Sequence, residues 1–303
     1  MRNYAVIDIG ATWLKWGIAQ LESGRVDLKK FASKRVKGAD FSGIKDSVTE
    51  CLDIVLGKYS IRGVGISTSG FVDLDGLVRY GVAEGYSGVD WEEILASSLP
   101  AGAKICVLND GQAAALGVAR TWVGGTPGTL IHLVVGTGVG GGIVVANQLL
   151  RGATGLAGHV GHFWGGYGSE KCSCGGTGCV ETFAGGAAIE RRAEALFGRS
   201  VSISSIVSDS ESVAKFLFEE SGEALGASVA CMVRLIDPAY ITLGGGVIDA
   251  AWISGKNIYA MALERKLNSL ALPGWPRINV QIASISNDAS LYGMANFIHE
   301  SES

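Results

Sequence analysis

The chain has 303 residues, 48% hydrophobic and 18% charged, with a formal net charge of −4. That balance suits a globular chain of two domains with a sizeable core, and it excludes an intrinsically disordered one. It also excludes the basic footprint of a nucleic-acid binder. The compositional outlier is glycine, with 45 residues, and its clustering points to backbone that comes close to ligands. A strand is predicted over 4–10, entering a turn, with its hairpin partner over 13–19. Asp8 interrupts the apolar start, so no leader peptide is expected. The turn Gly10-Ala11-Thr12 offers N–H groups and a hydroxyl to a phosphate, and Asp8 is placed to hold Mg²⁺ through water. Asp-x-Gly-x-Thr on its own fits an ordinary hairpin turn equally well.

Apolar residues Ile44, Val48, Cys51, Leu52 and Val55 recur at helical spacing over 42–58, with Ser42 as the expected N-cap. A buried strand over 63–67 runs into Thr68-Ser69-Gly70, and a loop follows over 80–91. Another strand begins at Ile105 and ends in Asn109-Asp110, opening a helix over 111–116. An Asn-Asp pair there reads either as a helix N-cap or as a carboxylate at the mouth of a site. Between Arg120 and Arg151 no residue is charged, long enough for a membrane span. Its many glycines instead predict two short strands around Gly136-Thr137-Gly138-Val139-Gly140. A dinucleotide fingerprint would need a helix straight after those glycines, whereas Ile143-Val144-Val145 continues as strand. Amphipathic helices are expected over 186–197 and 211–235, with their stripes in the core. A strand over 236–243 leads into Gly244-Gly245-Gly246. Cys51, Cys106 and Cys231 are read as core.

The densest chemistry lies between Gly158 and Glu181. His159 and His162 precede Cys172, Cys174 and Cys179, in the spacing Cys-x-Cys-x4-Cys. Three thiolates and the His162 imidazole make a closed set for one structural Zn²⁺. Glycines at 175, 176 and 178 let the short loop curl. A metal cluster of this kind goes with a reducing, cytoplasmic compartment.

This stretch resembles the signature of the ROK family of bacterial repressors and sugar kinases, Gly-Glu-x-Gly-His followed by Cys-x-Cys-Gly-x-x-Gly-Cys-x-Glu. The resemblance runs along almost the whole chain. It implies an α/β, two-lobed actin-like (ribonuclease H-like) ATPase fold with a cleft between the lobes. The N-terminal lobe would span 1–115, with the C-terminal helix over 289–303 packing back on it. The C-terminal lobe, with the zinc loop, would span 116–288.

The resemblance also implies an ATP-dependent sugar kinase using Mg²⁺. Asp8, Gly10, Thr12 and Lys15 would form the first phosphate loop. Gly136, Thr137, Gly138 and Gly140 would form the second. Gly244, Gly245 and Gly246 would border the adenosine. Asp110 would be the general base, and Gly70, Asn109, Asp110, His159, His162 and Glu181 would meet the sugar. A zinc-bound His162 would present a fixed N–H donor.

Four positions depart from the family pattern. Ala11 and Trp13 replace residues usual in the first loop. The loop over 80–91 lacks the family's Asn, for which Glu84 or Tyr86 would substitute. His159 stands where most of the family has Glu, a variant similar to bacterial N-acetylmannosamine kinases. The expected reaction is phosphorylation of the 6-hydroxyl of an N-acetylhexosamine, foremost N-acetylmannosamine. A kinase for glucose or another hexose or glucoside is the alternative. Repressor members carry a helix-turn-helix ahead of the first loop, and only seven residues precede Asp8, so a regulator is not expected. The partners implied are a small sugar and a second copy of the chain, with no nucleic acid and no membrane.

Overall fold

A computed structural model of the chain describes residues 2–10, 13–22, 25–36, 40–81, 83–122, 128–285 and 287–302. The backbone divides into two units. Unit 1 comprises Met1–Thr126, Gln148–Gly158 and Asp288–Ser303, and unit 2 comprises Pro127–Asn147 and His159–Asn287. The first boundary lies later than residue 115 because helix α3 (Asp110–Arg120) runs unbroken through that position.

Unit 1 is built on a sheet of β1 (Arg2–Ile9), β2 (Trp13–Glu22), β3 (Arg25–Arg35), β4 (Gly63–Thr68) and β7 (Lys104–Asn109), in the order β3-β2-β1-β4-β7. β1 and β2 form an antiparallel hairpin, while β4 and β7 add in parallel. Successive side chains of β1 point to opposite faces. Ala5, Ile7 and Ile9 share a core with Ile44, Val48, Cys51, Leu52 and Val55 of α1 (Phe41–Leu56). Tyr4 and Val6 share the other core with Leu291, Met294 and Ile298 of α10 (Ala289–Glu300). Each such fully buried aliphatic side chain contributes about 1.5–3 kcal/mol. α3 lies against α10 so closely that a Cβ on Gly117 would collide with the Ala289 carbonyl, and one on Gly293 with that of Ala113. The remaining pieces of unit 1 are β5 (Phe71–Val72) paired with β6 (Val78–Tyr80), α2 (Trp91–Leu95) and β10 (Gln148–Leu149).

Three expectations change here. β3 is not predicted from the sequence, because its charged, half-exposed pattern is that of an edge strand, where lysines block further pairing. α1 starts earlier than expected: Asp40, in extended conformation, caps it by accepting from the Gly43 N–H at 3.0 Å. Cys231 is exposed. It lies four residues before Leu235, which is 77% exposed, so both fall on the outer face of their helix.

Unit 2 repeats the scheme with β8 (Leu130–Val135), β9 (Val139–Val145), β11 (Tyr240–Gly244) and β14 (Val280–Ile282). β8 and β9 form the antiparallel hairpin, and β11 and β14 extend it in parallel. Among its described residues the uncharged stretch thus carries β8 and β9 around the glycine turn, as its glycines predict, with the short β10 after them. Helices α4 (Glu181–Ala184), α5 (Gly186–Phe197), α6 (Ile206–Asp209), α7 (Glu211–Ile236), α8 (Gly246–Ala250) and α9 (Ile258–Ser269) accompany it, with a ribbon of β12 (Trp252–Ile253) and β13 (Lys256–Asn257). Among the described residues no helix is long and apolar enough to cross a membrane.

Candidate active site

In unit 1 the parallel strands end level with one another, Ile9 opposite Thr68 and Thr68 opposite Asn109. The carboxyl ends of parallel strands are where open α/β sheets place ligands. Asp8 continues the alternation of Tyr4 and Val6, and so lies on the face that carries α3. Its Oδ1 accepts from the Ser67 hydroxyl at 2.7 Å, and Lys15 Nζ, directly across the hairpin, lies 3.7 Å from Oδ2. Gly10 closes the turn by donating to the Trp13 carbonyl at 2.9 Å. Ala11 and Thr12 lie outside the described residues.

The Asn109-Asp110 pair meets the capping reading. Asn109 is the N-cap of α3, its Oδ1 accepting from the Gly111 and Gln112 N–H groups at 3.0 and 3.1 Å. Its Nδ2 donates to the Gly70 carbonyl at 2.9 Å, which fixes the loop after β4. Asp110, half-buried, is the first residue of α3. Burial, and then the neighbouring Asp8 charge, push its carboxyl up to about 7. A carboxylate poised there suits a general base at neutral pH.

Tyr86 is not an exposed contact residue. It is 1% exposed, and its hydroxyl meets that of Thr68 at 2.6 Å and accepts from Trp91 Nε1 at 3.2 Å. Aromatic neighbours Phe41 and Trp91 hold it in the core. Glu84 is exposed, and its carbonyl accepts from the Phe41 N–H.

In unit 2 the second glycine turn is braced from outside. Gly136 donates to the Gly138 carbonyl at 3.0 Å, Gly186 to the Gly136 carbonyl at 2.8 Å and Ala187 to the Thr137 carbonyl at 2.9 Å. Gly140 sits on β9, Gly244 ends β11, Gly245 caps α8 and Gly246 opens it. A cavity of about 680 Å³ is lined by Gly136, Thr137 and Gly246, together with Glu190, Ser202, Ser204, Asp249 and Trp252. Its volume suits a nucleotide-sized ligand. The last five residues come from segments far apart in the chain, and no local pattern announces them.

The Cys/His cluster assembles as its spacing predicts. One ligand atom each from His162, Cys172, Cys174 and Cys179 lies within 4.8 Å of all the others. Cys174 Sγ and Cys179 Sγ are 3.7 Å apart, and Cys172 Sγ is 3.4 Å from His162 Nδ1. A tetrahedral ion with bonds of about 2.3 Å to sulfur sets its sulfurs roughly 3.8 Å apart, so the residues fit zinc. Burial pushes the Cys172 thiol up to about 12, and sulfurs this close hold their full charge only against a cation. His162 ends the short 3₁₀ turn Val160–His162, and His159 caps that turn, its ring 6.5 Å from the His162 ring. Glu181, at the start of α4, turns its carboxylate to the glycine hairpin: Oε2 accepts from the Val139 N–H at 3.0 Å. Its Oε1 is 3.5 Å from Cys172 Sγ.

The ROK family description matches residues 4–301. The chain is 28% identical to a glucokinase of Halalkalibacterium halodurans, over 99% of this chain and 96% of that one. It is 31% identical to an N-acetylmannosamine kinase of Vibrio cholerae, over 82% of this chain and 84% of that one. Among solved structures, the glucokinase of Streptomyces griseus in complex with glucose and AMPPNP is similar, with a TM-score of 0.83 and 26% identity, covering 97% of this chain and 98% of that one.

Proposed function

The chain belongs to the ROK family and has the actin-like ATPase fold of its sugar kinases, and from that premise we propose that it transfers the terminal phosphoryl group of ATP to the 6-hydroxyl of an N-acetylhexosamine, foremost N-acetylmannosamine. Its kinase chemistry rests on relatives that match 99% and 82% of the chain. The choice of sugar rests on one observation: an imidazole, His159, stands beside His162 where the family pattern has a carboxylate.

Asp110 takes the proton of the 6-hydroxyl as that oxygen attacks the terminal phosphorus and ADP departs. Its raised pKa suits that exchange. Asn109 holds the Gly70 loop where the sugar is to be read. Asp8 and Lys15 would hold Mg²⁺ through water and the phosphates, and the Gly136–Gly140 hairpin and Gly244–Gly246 would receive the rest of the nucleotide. Mg²⁺, when bound, neutralises charge on the phosphates. Cys172, Cys174, Cys179 and His162 Nδ1 would hold a structural Zn²⁺. That leaves His162 Nε2 as an N–H donor of fixed orientation. A neutral His159 offers one donor and one acceptor, whereas Glu only accepts.

A glucose kinase is the second reading, favoured by the glucokinase likeness over 99% of the chain. Coupled ADP release over a panel of hexoses and N-acetylhexosamines separates the two. Wild type should prefer N-acetylmannosamine, and His159→Glu should shift the kcat/KM ratio towards glucose by roughly tenfold to a hundredfold. An unchanged ratio, or a wild type that already prefers glucose, sinks the sugar assignment and leaves the kinase reading standing.

A further inference from the structure

The geometry points to Glu181 as the positioning residue that sets the second glycine hairpin for the phosphates of the nucleotide, so that the Cys/His cluster and the nucleotide site share one mechanical support. This deepens the kinase reading and rests on that hairpin's being a phosphate loop.

Three observations carry it. Glu181 Oε2 accepts from the Val139 N–H at 3.0 Å, a charge-assisted bond at the point where the turn becomes β9. The carboxylate lies close against the turn: a Cβ on Gly138 would collide with Glu181 Oε2. Gly138 is therefore the residue that admits the carboxylate. On the other side, a Cβ on Gly161, within the 3₁₀ turn that ends in His162, would collide with the Val139 carbonyl. Val139 is thus held at its N–H by the residue two beyond the last cysteine of the cluster, and its carbonyl packs directly against the residue before the cluster's histidine.

This arrangement decides which groups remain for phosphate. The Gly136 N–H is spent on the Gly138 carbonyl and the Val139 N–H on Glu181. Recognition of phosphate falls to the N–H groups of Thr137 and Gly138 and the Thr137 hydroxyl. Thr137 and Gly136 also line the nucleotide-sized cavity of unit 2. Glu181 carries negative charge, so its place beside a phosphate loop costs electrostatic energy. The gain is a turn held in one geometry before the nucleotide arrives.

The test measures ADP binding by calorimetry in the absence of sugar, on zinc-loaded protein whose zinc content is verified. Glu181→Ala should weaken ADP about tenfold, the scale of one lost charge-assisted bond. Glu181→Asp, too short to reach Val139, should do the same. Glu181→Gln keeps length and an acceptor oxygen and should restore most of the affinity. Amide exchange in the peptide spanning 136–145 should speed up in the Ala and Asp variants and stay slow in the Gln variant. Where Glu181→Ala does not fold, the contrast between Asp and Gln decides. Unchanged ADP affinity in Glu181→Asp, with only sugar binding lost, overturns the inference and makes Glu181 solely a sugar contact. Failure of wild type to phosphorylate any sugar would instead defeat the reaction assigned above, and the ADP measurement would still stand.

Discussion

The two glycine hairpins share one backbone plan and solve the charge problem differently. In unit 1 the strands bring their own ions: Asp8 lies two residues before Gly10, with Lys15 directly opposite. In unit 2 the position two residues before Gly136 is Val134, paired with Gly140, and Leu130–Val145 contains no Asp, Glu, Lys or Arg. The carboxylate that hydrogen-bonds its backbone, on Glu181, is imported from the far side of the cysteine loop. A turn whose strands carry charge can arrange cation and phosphate with its own side chains. A turn without charge is only a set of backbone donors, and something else must hold its shape. On the function proposed above, acid–base chemistry would belong to unit 1, and a phosphate cradle braced by the cysteine loop to unit 2.

Breaking the charged side should have the largest effect on turnover. Asp110→Asn is expected to lower kcat at least about a hundredfold, with ADP affinity kept, because it removes only the proton acceptor. Near-normal kcat would mean that Asp110 is not the base. The wild-type pH profile should follow the same group. Below about 7 the carboxyl is protonated, so kcat/KM should fall about tenfold for each further pH unit on the acid side. Asp8→Asn removes one cause of the raised pKa and should move that limb to lower pH, whatever it does to the maximum rate.

Breaking the support on the uncharged side should act on stability first. Cys174→Ser is expected to abolish the bound zinc and lower the Tm by roughly 10 °C, since several kcal/mol are lost at about 2–4 °C each. Amide exchange should rise in β8 and β9 and stay unchanged in β1 and β2. Equal loosening of both hairpins, or a full zinc complement in the variant, would contradict the contrast drawn between them.

Legibility in the sequence followed the range of the interaction. Both hairpins, the Cys/His cluster and the Asn109-Asp110 pair were readable because each is encoded within a few residues: alternation, glycine at the turn, ligand spacing, a capping residue at a strand end. β3 was missed because an edge strand rich in lysine imitates a loop. Tyr86 was misplaced because its burial depends on Thr68 and Trp91, and the sequence reading of 80–91 as a loop did not bring those three together. The lining of the nucleotide-sized cavity by Ser202, Ser204, Asp249 and Trp252, and the grip of Glu181 on Val139, are long-range contacts that periodicity does not encode. The cluster was predicted to hold zinc and orient His162. Its connection to the glycine turn needed coordinates.

The smallest effect distinguishes the two sheets by acid sensitivity. Four residues before the turn glycine, β1 has Val6 and β8 has His132, both fully buried. His132 Nδ1 meets the Thr242 hydroxyl at 2.8 Å, and its Nε2 has no hydrogen-bond partner among the described residues. Burial lowers this imidazole to about 4 from an ordinary 6.5. The unfolded chain therefore takes up the proton first. The stabilising contribution is complete above pH 6.5 and declines as pH falls towards 4. Between pH 7 and 5.5 the loss should be about 1 kcal/mol. It should show as faster exchange in β8 and β11 while β1 and β4 hold. The control is His132→Val combined with Thr242→Val, which removes both partners of the buried bond and leaves no orphaned hydroxyl. That double variant should flatten the dependence of Tm on pH over this range. If its slope matched wild type, the acid sensitivity would belong to other groups, and the two sheets would not differ in this respect.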